Sequence, residues 1–184
     1  MKEENPWQTL SSEEKYNNNW ISVTEHQVIN PSGGKGIYGE VHFKNIAIGI
    51  LPLDDEQNTW LVGQYRYPLK AYSWEIPEGG GPIGTEPELS AKRELIEETG
   101  LICDRLTEIQ RMHLSNSVSD ELAIIYVAQD LTQGEAEPEE TEDLQLIKVP
   151  FAKAYQMVLD GEITDSISVA AILKVQILIE KGAI

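Results

Sequence analysis

The spacing of apolar and polar positions changes part-way along the chain. From Trp20 to Ile29 (WISVTEHQVI) they alternate loosely, and Gly36 to Phe43 (GIYGEVHF) alternates again after the turn-forming Asn30-Pro31-Ser32-Gly33-Gly34. Period-two alternation puts one face of a strand on a core and the other in water, so both segments predict half-buried strands. Asn45 to Leu53 (NIAIGILPL) is nearly continuously apolar, which predicts a strand buried on both faces. Thr59 to Tyr65 predicts the fourth strand before the first helix. Between Pro77 and Gly84, the residues Gly79, Gly80, Gly81, Pro82 and Gly84 predict a loop. Glycine forfeits backbone entropy in a regular element, and proline lacks a donor.

The spacing then becomes helical. Thr85 with Glu88 has the form of a capping box, Pro87 suits a first turn, and Gly100 is a natural stop after Thr99. Strands are predicted over Leu106–Leu114, Glu121–Ala128 and Leu144–Val149. Helices are predicted over Phe151–Leu159 and Ser166–Lys181, the second capped by Asp165 or Ser166. Strands and helices around one core predict an α/β sandwich.

Composition narrows the function. The 184 residues suffice for one domain with a core. Fourteen Lys and Arg against 31 Asp and Glu give a formal charge of −17, which excludes nonspecific binding to nucleic-acid backbones. An anionic substrate would need local arginine or a bound cation to offset that field. The single cysteine, Cys103, forms no internal disulfide and fits a reducing compartment as a buried thiol. Met1-Lys2-Glu3-Glu4-Asn5-Pro6 lacks the basic and apolar regions of a leader, and Lys174, Gln176, Glu180 and Lys181 interrupt the greasiest segment. The expectation is a cytoplasmic protein without a membrane span.

The most informative segment is Arg93-Glu94-Leu95-Ile96-Glu97-Glu98-Thr99-Gly100. At about 100° per residue, Glu94, Glu97 and Glu98 fall within an arc of about 100° on one helical face. Such like-charge pairs cost a helix about 0.2–0.5 kcal/mol each, and the dipole disfavours anions near a helix C-terminus. Arg93 can offset Glu97 at i,i+4, but one guanidinium cannot neutralise three carboxylates. A solvated acidic face and a site for a hard divalent cation both accommodate this pattern.

With Gly79 and Leu101 at its ends, the segment resembles the Nudix box, GX5EX7REUXEEXGU with U apolar. Every specified position but one matches: position 85 is Thr where the box has Glu, with Glu86 one residue late. The resemblance implies a Nudix-type α/β/α sandwich with a mixed sheet and an N-terminal antiparallel β region. It implies an N-terminal β region over 1–44, compatible with a homodimer, and a Nudix hydrolase domain over 45–184. It implies Glu94 and Glu98 as principal metal ligands, Glu97 as a further ligand or catalytic carboxylate, and Arg93 as the residue orienting them. The main-chain carbonyl of Glu78 is implied as another ligand, with Mg²⁺ or Mn²⁺ as the ion.

Gln64-Tyr65-Arg66-Tyr67-Pro68 and Trp74-Glu75-Ile76-Pro77-Glu78-Gly79-Gly80 resemble the ADP-ribose and nucleotide-sugar pyrophosphatase branch of that family. Arg66 is suited to grip a phosphate bidentately; Glu75 either bonds substrate or holds Arg66. Leu114–Glu121 lacks the proline of the turn that ADP-ribose enzymes carry there, and so resembles enzymes that accept nucleoside diphosphate sugars. The resemblance therefore implies hydrolysis of a nucleoside diphosphate sugar to a nucleoside monophosphate and a sugar 1-phosphate. The alternatives are ADP-ribose-specific hydrolysis and a non-catalytic nucleotide sensor, though the REUXEE core is complete. Within the acidic run Glu135–Asp143, Glu140 and Glu142 both match a loop glutamate that acts as base or extra ligand. Trp20 or Trp7 could stack a nucleobase, or simply pack. His26, His42 and His113 have no ligand spacing.

Overall fold

The computed structural model describes residues 4–134 and 144–184. They divide into two compact units, 4–45 with 113–121, and 46–112 with 122–134 and 144–184.

The first unit is a three-stranded antiparallel sheet in the order β1-β2-β3, formed by β1 (Gln8–Asn17), β2 (Ile21–Ile29) and β3 (Lys35–Phe43). Its turns are tied by side chains. Asn30 Oδ1 accepts from the N–H groups of Ser32 and Gly34, both at 3.0 Å, and Asn18 Oδ1 accepts from Trp20 and Ile21, both at 2.8 Å. The Leu114–Glu121 turn is fastened to this unit: Tyr38 donates its hydroxyl proton to the Ser117 carbonyl at 2.6 Å, and Asp120 accepts from Phe43 N–H at 3.0 Å.

The second unit contains two sheets. One has the order β7-β4-β9-β8, from β4 (Asn45–Pro52), β7 (Glu78–Pro82), β8 (Leu101–His113) and β9 (Leu122–Gln133). Within it β4 and β9 run parallel, from Ala47 opposite Ala123 to Pro52 opposite Ala128. Over this paired stretch both strands are apolar because both faces are covered: Ile48, Ile50, Leu51 and Ile124 to Val127 are buried. The other sheet is antiparallel, β10-β5-β6, from β5 (Asn58–Arg66), β6 (Ala71–Glu75) and β10 (Gln145–Pro150). Three helices complete the unit: α1 (Pro87–Thr99), α2 (Phe151–Leu159) and α3 (Ser166–Glu180). Ala91 and Leu95 of α1 join Ile48, Ile50, Ile124 and Tyr126 in one core.

Three sequence expectations change. Among the described residues, seven strands precede α1 rather than four. β1 was hidden because every one of its residues is exposed, so it has no apolar alternation. The expected glycine loop contains a strand, β7, which lies at the edge of its sheet and places Gly79 and Gly81 under α1. An edge strand tolerates Pro82 and small residues where a central one does not. Thr85 is also not the helix cap. Pro87 keeps its predecessor out of helical geometry, so Glu86, extended at φ −68° and ψ 119°, is the N-cap without a side-chain bond. Thr85 instead donates its hydroxyl to the Pro82 carbonyl at 2.7 Å. The expected stop at Gly100 stands: it takes left-handed geometry at φ 70°, with its N–H on the Ile96 carbonyl.

Candidate active site

α1 packs against β7, and that contact gathers the charged residues of the motif. Glu94 and Glu98 are buried at 9% and 6% exposure. Arg93 lies between the carboxylates: Nη1 donates to Glu97 Oε2 and Nη2 to Glu94 Oε1, each at 2.5 Å, while Nη2 also reaches the Gly80 carbonyl at 3.1 Å. Glu98 Oε2 accepts the main-chain N–H of Glu78 at 2.9 Å. A side chain at Gly79 would overlap the Glu94 carboxylate, so glycine there is a requirement of close approach. Helix and strand thus converge on Glu78, Gly79, Glu94 and Glu98.

A second constellation adjoins it through Glu78. The Glu78 side chain turns to α3, where Oε1 accepts the Ser168 hydroxyl at 2.9 Å. Burial pushes the Glu78 carboxyl well above the usual carboxylate range, and the neighbouring Asp165 and Glu75 push it the same way against the Ser168 bond. Asp165 caps α3, accepting Ser168 N–H at 2.8 Å. On β5, Arg66 donates from Nε to both oxygens of Glu75, at 3.0 and 3.1 Å, and from Nη2 to Oε2. Glu75 is almost wholly buried, so its carboxylate is committed to Arg66. Arg66, Pro68, Leu69, Glu75 and residues 164–166 line a cleft of about 350 Å³.

A NUDIX domain model matches residues 43–166, and a model of the nucleoside diphosphate sugar hydrolase N-terminal domain matches residues 7–41. The chain belongs to the Nudix family. It is 35% identical over 178 residues to an ADP-ribose pyrophosphatase of Mycobacterium tuberculosis, covering 94% of this chain and 84% of the relative. It is 30% identical to an ADP-ribose pyrophosphatase of Bacillus subtilis, covering 92% of each. The crystal structure of an ADP compounds hydrolase superposes over 100% of both chains with a TM-score of 0.86 at 23% identity. That likeness concerns the fold, and it agrees with the expected α/β class, mixed sheet and N-terminal antiparallel region.

Nudix hydrolases need divalent metal ions, and the donors on α1 and β7 suit one. They are carboxylate and carbonyl oxygens, the ligands of a hard cation. Among the described residues, no three His, Cys, Asp or Glu side chains gather closely enough to enclose an ion by themselves. Mg²⁺ needs only one or two carboxylates because it keeps several waters, so the set fits. Arg93 meanwhile supplies positive charge to Glu94 and Glu97.

Trp20 is on the first unit with 65% exposure, and Trp7 packs edge-on against Tyr38 at 5.2 Å between ring centres. Glu140 and Glu142 lie outside the described residues. His26 bonds Ser12 and Glu40, each at 2.8 Å, and His42 bonds Asp120. Cys103 is buried, which raises its thiol pKa. Among the described residues, no helix is long and apolar enough to cross a membrane.

Sequence reasoning missed Asp165 and Ser168 as neighbours of Glu78. Asp165 was legible as a helix cap, but nothing local marks a hydroxyl that meets a residue ninety positions earlier.

Proposed function

We propose that this Nudix hydrolase cleaves the diphosphate bond of a nucleoside diphosphate sugar, giving a nucleoside monophosphate and a sugar phosphate. The observation that carries the reading is the bond of Glu98 to the Glu78 N–H, beside Glu94 held over Gly79. It supports a polar catalytic face where helix and strand meet. Glu94, Glu97, Glu98 and the Glu78 carbonyl are the groups that would hold Mg²⁺ or Mn²⁺. When bound, such ions neutralise diphosphate charge and make water a better nucleophile.

This chain's own residues do the rest. Arg93 holds Glu94 and Glu97 in orientation through two ion pairs. Arg66 is positioned by buried Glu75 and places a guanidinium at the cleft, where it can grip a phosphate. Glu140 or Glu142 acts as the loop base that takes a proton from water. Trp20 or Trp7 stacks the nucleobase. ADP-ribose is the second, narrower reading, supported by the names of the two relatives.

The N-terminal region, 1–44, is read as the part that forms a homodimer, and 45–184 as the hydrolase domain of a cytoplasmic enzyme. Exposed Leu10, Tyr16, Trp20 and Ile37 on the first unit support association. Light scattering tests it: a monomer at working concentration would contradict the dimer.

The activity test is phosphate release, through a coupled phosphatase, from ADP-ribose, GDP-mannose, UDP-glucose and a nucleoside triphosphate, with and without Mg²⁺. Metal-dependent cleavage of several diphosphate sugars is expected. Cleavage of ADP-ribose alone favours the narrower reading. Binding without cleavage contradicts both and favours a sensor.

A further inference from the structure

Ile76, Pro77 and Glu78 carry the chain from β6 into β7, and each is tied to a different element. The Pro77 carbonyl accepts from Ile50 N–H of β4 at 2.8 Å. Glu78 N–H donates to Glu98 Oε2 of α1 at 2.9 Å. Ile76 N–H donates to Ser168 Oγ of α3, also at 2.9 Å. The same Ser168 hydroxyl donates to Glu78 Oε1 at 2.9 Å, so one rotor is satisfied in both directions.

Ser168 is completely buried and Ile76 is 1% exposed. Leaving a buried N–H without its partner is costly, so the Ile76 bond constrains the backbone strongly. The serine itself stands on a fixed support, because its own N–H is capped by Asp165 Oδ2 at 2.8 Å. Its hydroxyl therefore clasps both ends of the tripeptide whose last residue meets Glu98.

We infer that Ser168 is a positioning residue, whose hydroxyl sets the Ile76–Glu78 backbone and through it the oxygens at which α1 and β7 meet. The inference rests on the proposed reading of Glu98 and the Glu78 carbonyl as cation ligands. Ser168 touches neither cation nor substrate in this account. It acts as outer partners of metal ligands do, by fixing the direction of a donor.

The test uses Ser168→Ala, Ser168→Cys and Ser168→Thr in the full chain. Mn²⁺ binding is titrated by the paramagnetic resonance signal of free ion, beside kcat, KM for ADP-ribose and thermal melting. Ala and Cys are expected to weaken Mn²⁺ binding about 10-fold or more, to lower kcat and to leave KM nearly unchanged. Thr keeps the hydroxyl and is expected to bind Mn²⁺ as wild type does. Cys, close to serine in volume, carries the test if Ala fails to fold. A folded Ala or Cys variant with wild-type Mn²⁺ affinity overturns the inference, as does a folded Thr variant as weak as Ala. Loss of Mn²⁺ binding and of cleavage in wild type would instead overturn the proposed function.

Discussion

Glu98 accepts the main-chain N–H of Glu78 through Oε2 at 2.9 Å, joining the last turn of α1 to the first residue of β7. Its like-charged neighbour Glu94 lies one turn earlier, and the helix dipole is adverse at this end. The bond gives Glu98 a donor inside the protein, while Arg93 serves Glu94 and Glu97. A buried acidic helix face is thereby held in a shape that the helix alone would resist.

Glu98→Gln separates charge from shape. The amide oxygen can still accept the Glu78 N–H, so melting temperature is expected to move little. Turnover is expected to fall by more than the roughly 10–100-fold typical of outer partners of a metal. Near-normal kcat in a folded variant would remove Glu98 from the proposed ligand set.

Gly79→Ala tests the approach of β7 to α1. The added methyl meets the Glu94 carboxylate, and overpacking of this kind costs about 1–3 kcal/mol. A lower melting temperature with weaker Mn²⁺ binding is expected. An unchanged melting temperature would show that Glu94 moves aside freely.

Much of this arrangement was legible in the residues, but unevenly. The alternating β2 and β3, the doubly buried β4 and the amphipathic α2 announce themselves because burial imprints a period on the sequence. β1 and β7 do not: one is exposed at every position, and the other is built of glycines chosen for closeness to α1. The carboxylates of α1 could be placed on one face from spacing alone. The clasp of Ser168 on Ile76 and Glu78 could not, since tertiary packing creates it between distant segments. Glu75 shows the same limit, as only the structure reveals its commitment to Arg66.

That pair makes Arg66 a residue with two roles. The Arg66→Ala variant strands a buried carboxylate, and an expected cost of about 1–3 kcal/mol falls below that of a fully buried pair, because Arg66 is 38% exposed. Adding Glu75→Gln should recover part of that stability without recovering substrate affinity. Arg66→Lys should raise KM more than it lowers melting temperature, since lysine keeps charge but loses the fork. An unchanged KM in Arg66→Lys would leave the arginine a purely structural role.

Acid should weaken the second unit partly through Asp54. Burial raises its carboxyl pKa, but hydrogen bonds from Lys148 and Asn58 and the Lys148 charge prevail and hold it below the ordinary value. The stabilisation is therefore complete above about pH 4, the unfolded value, and is lost as pH falls through the lower folded value. Denaturant midpoints of wild type and Asp54→Asn should differ most near neutrality and converge in acid. A gap that widens in acid would contradict this assignment.

The most direct test of the central claim is phosphorus NMR of ADP-ribose incubated with the protein and Mg²⁺, with Glu98→Gln and a chelator as parallel samples. The account predicts that the diphosphate resonances give way to two phosphomonoester signals, AMP and ribose 5-phosphate, in the wild-type sample with metal alone. Persistence of the diphosphate in that sample and in a matching one with GDP-mannose, or equal cleavage of ADP-ribose in all three, would contradict it.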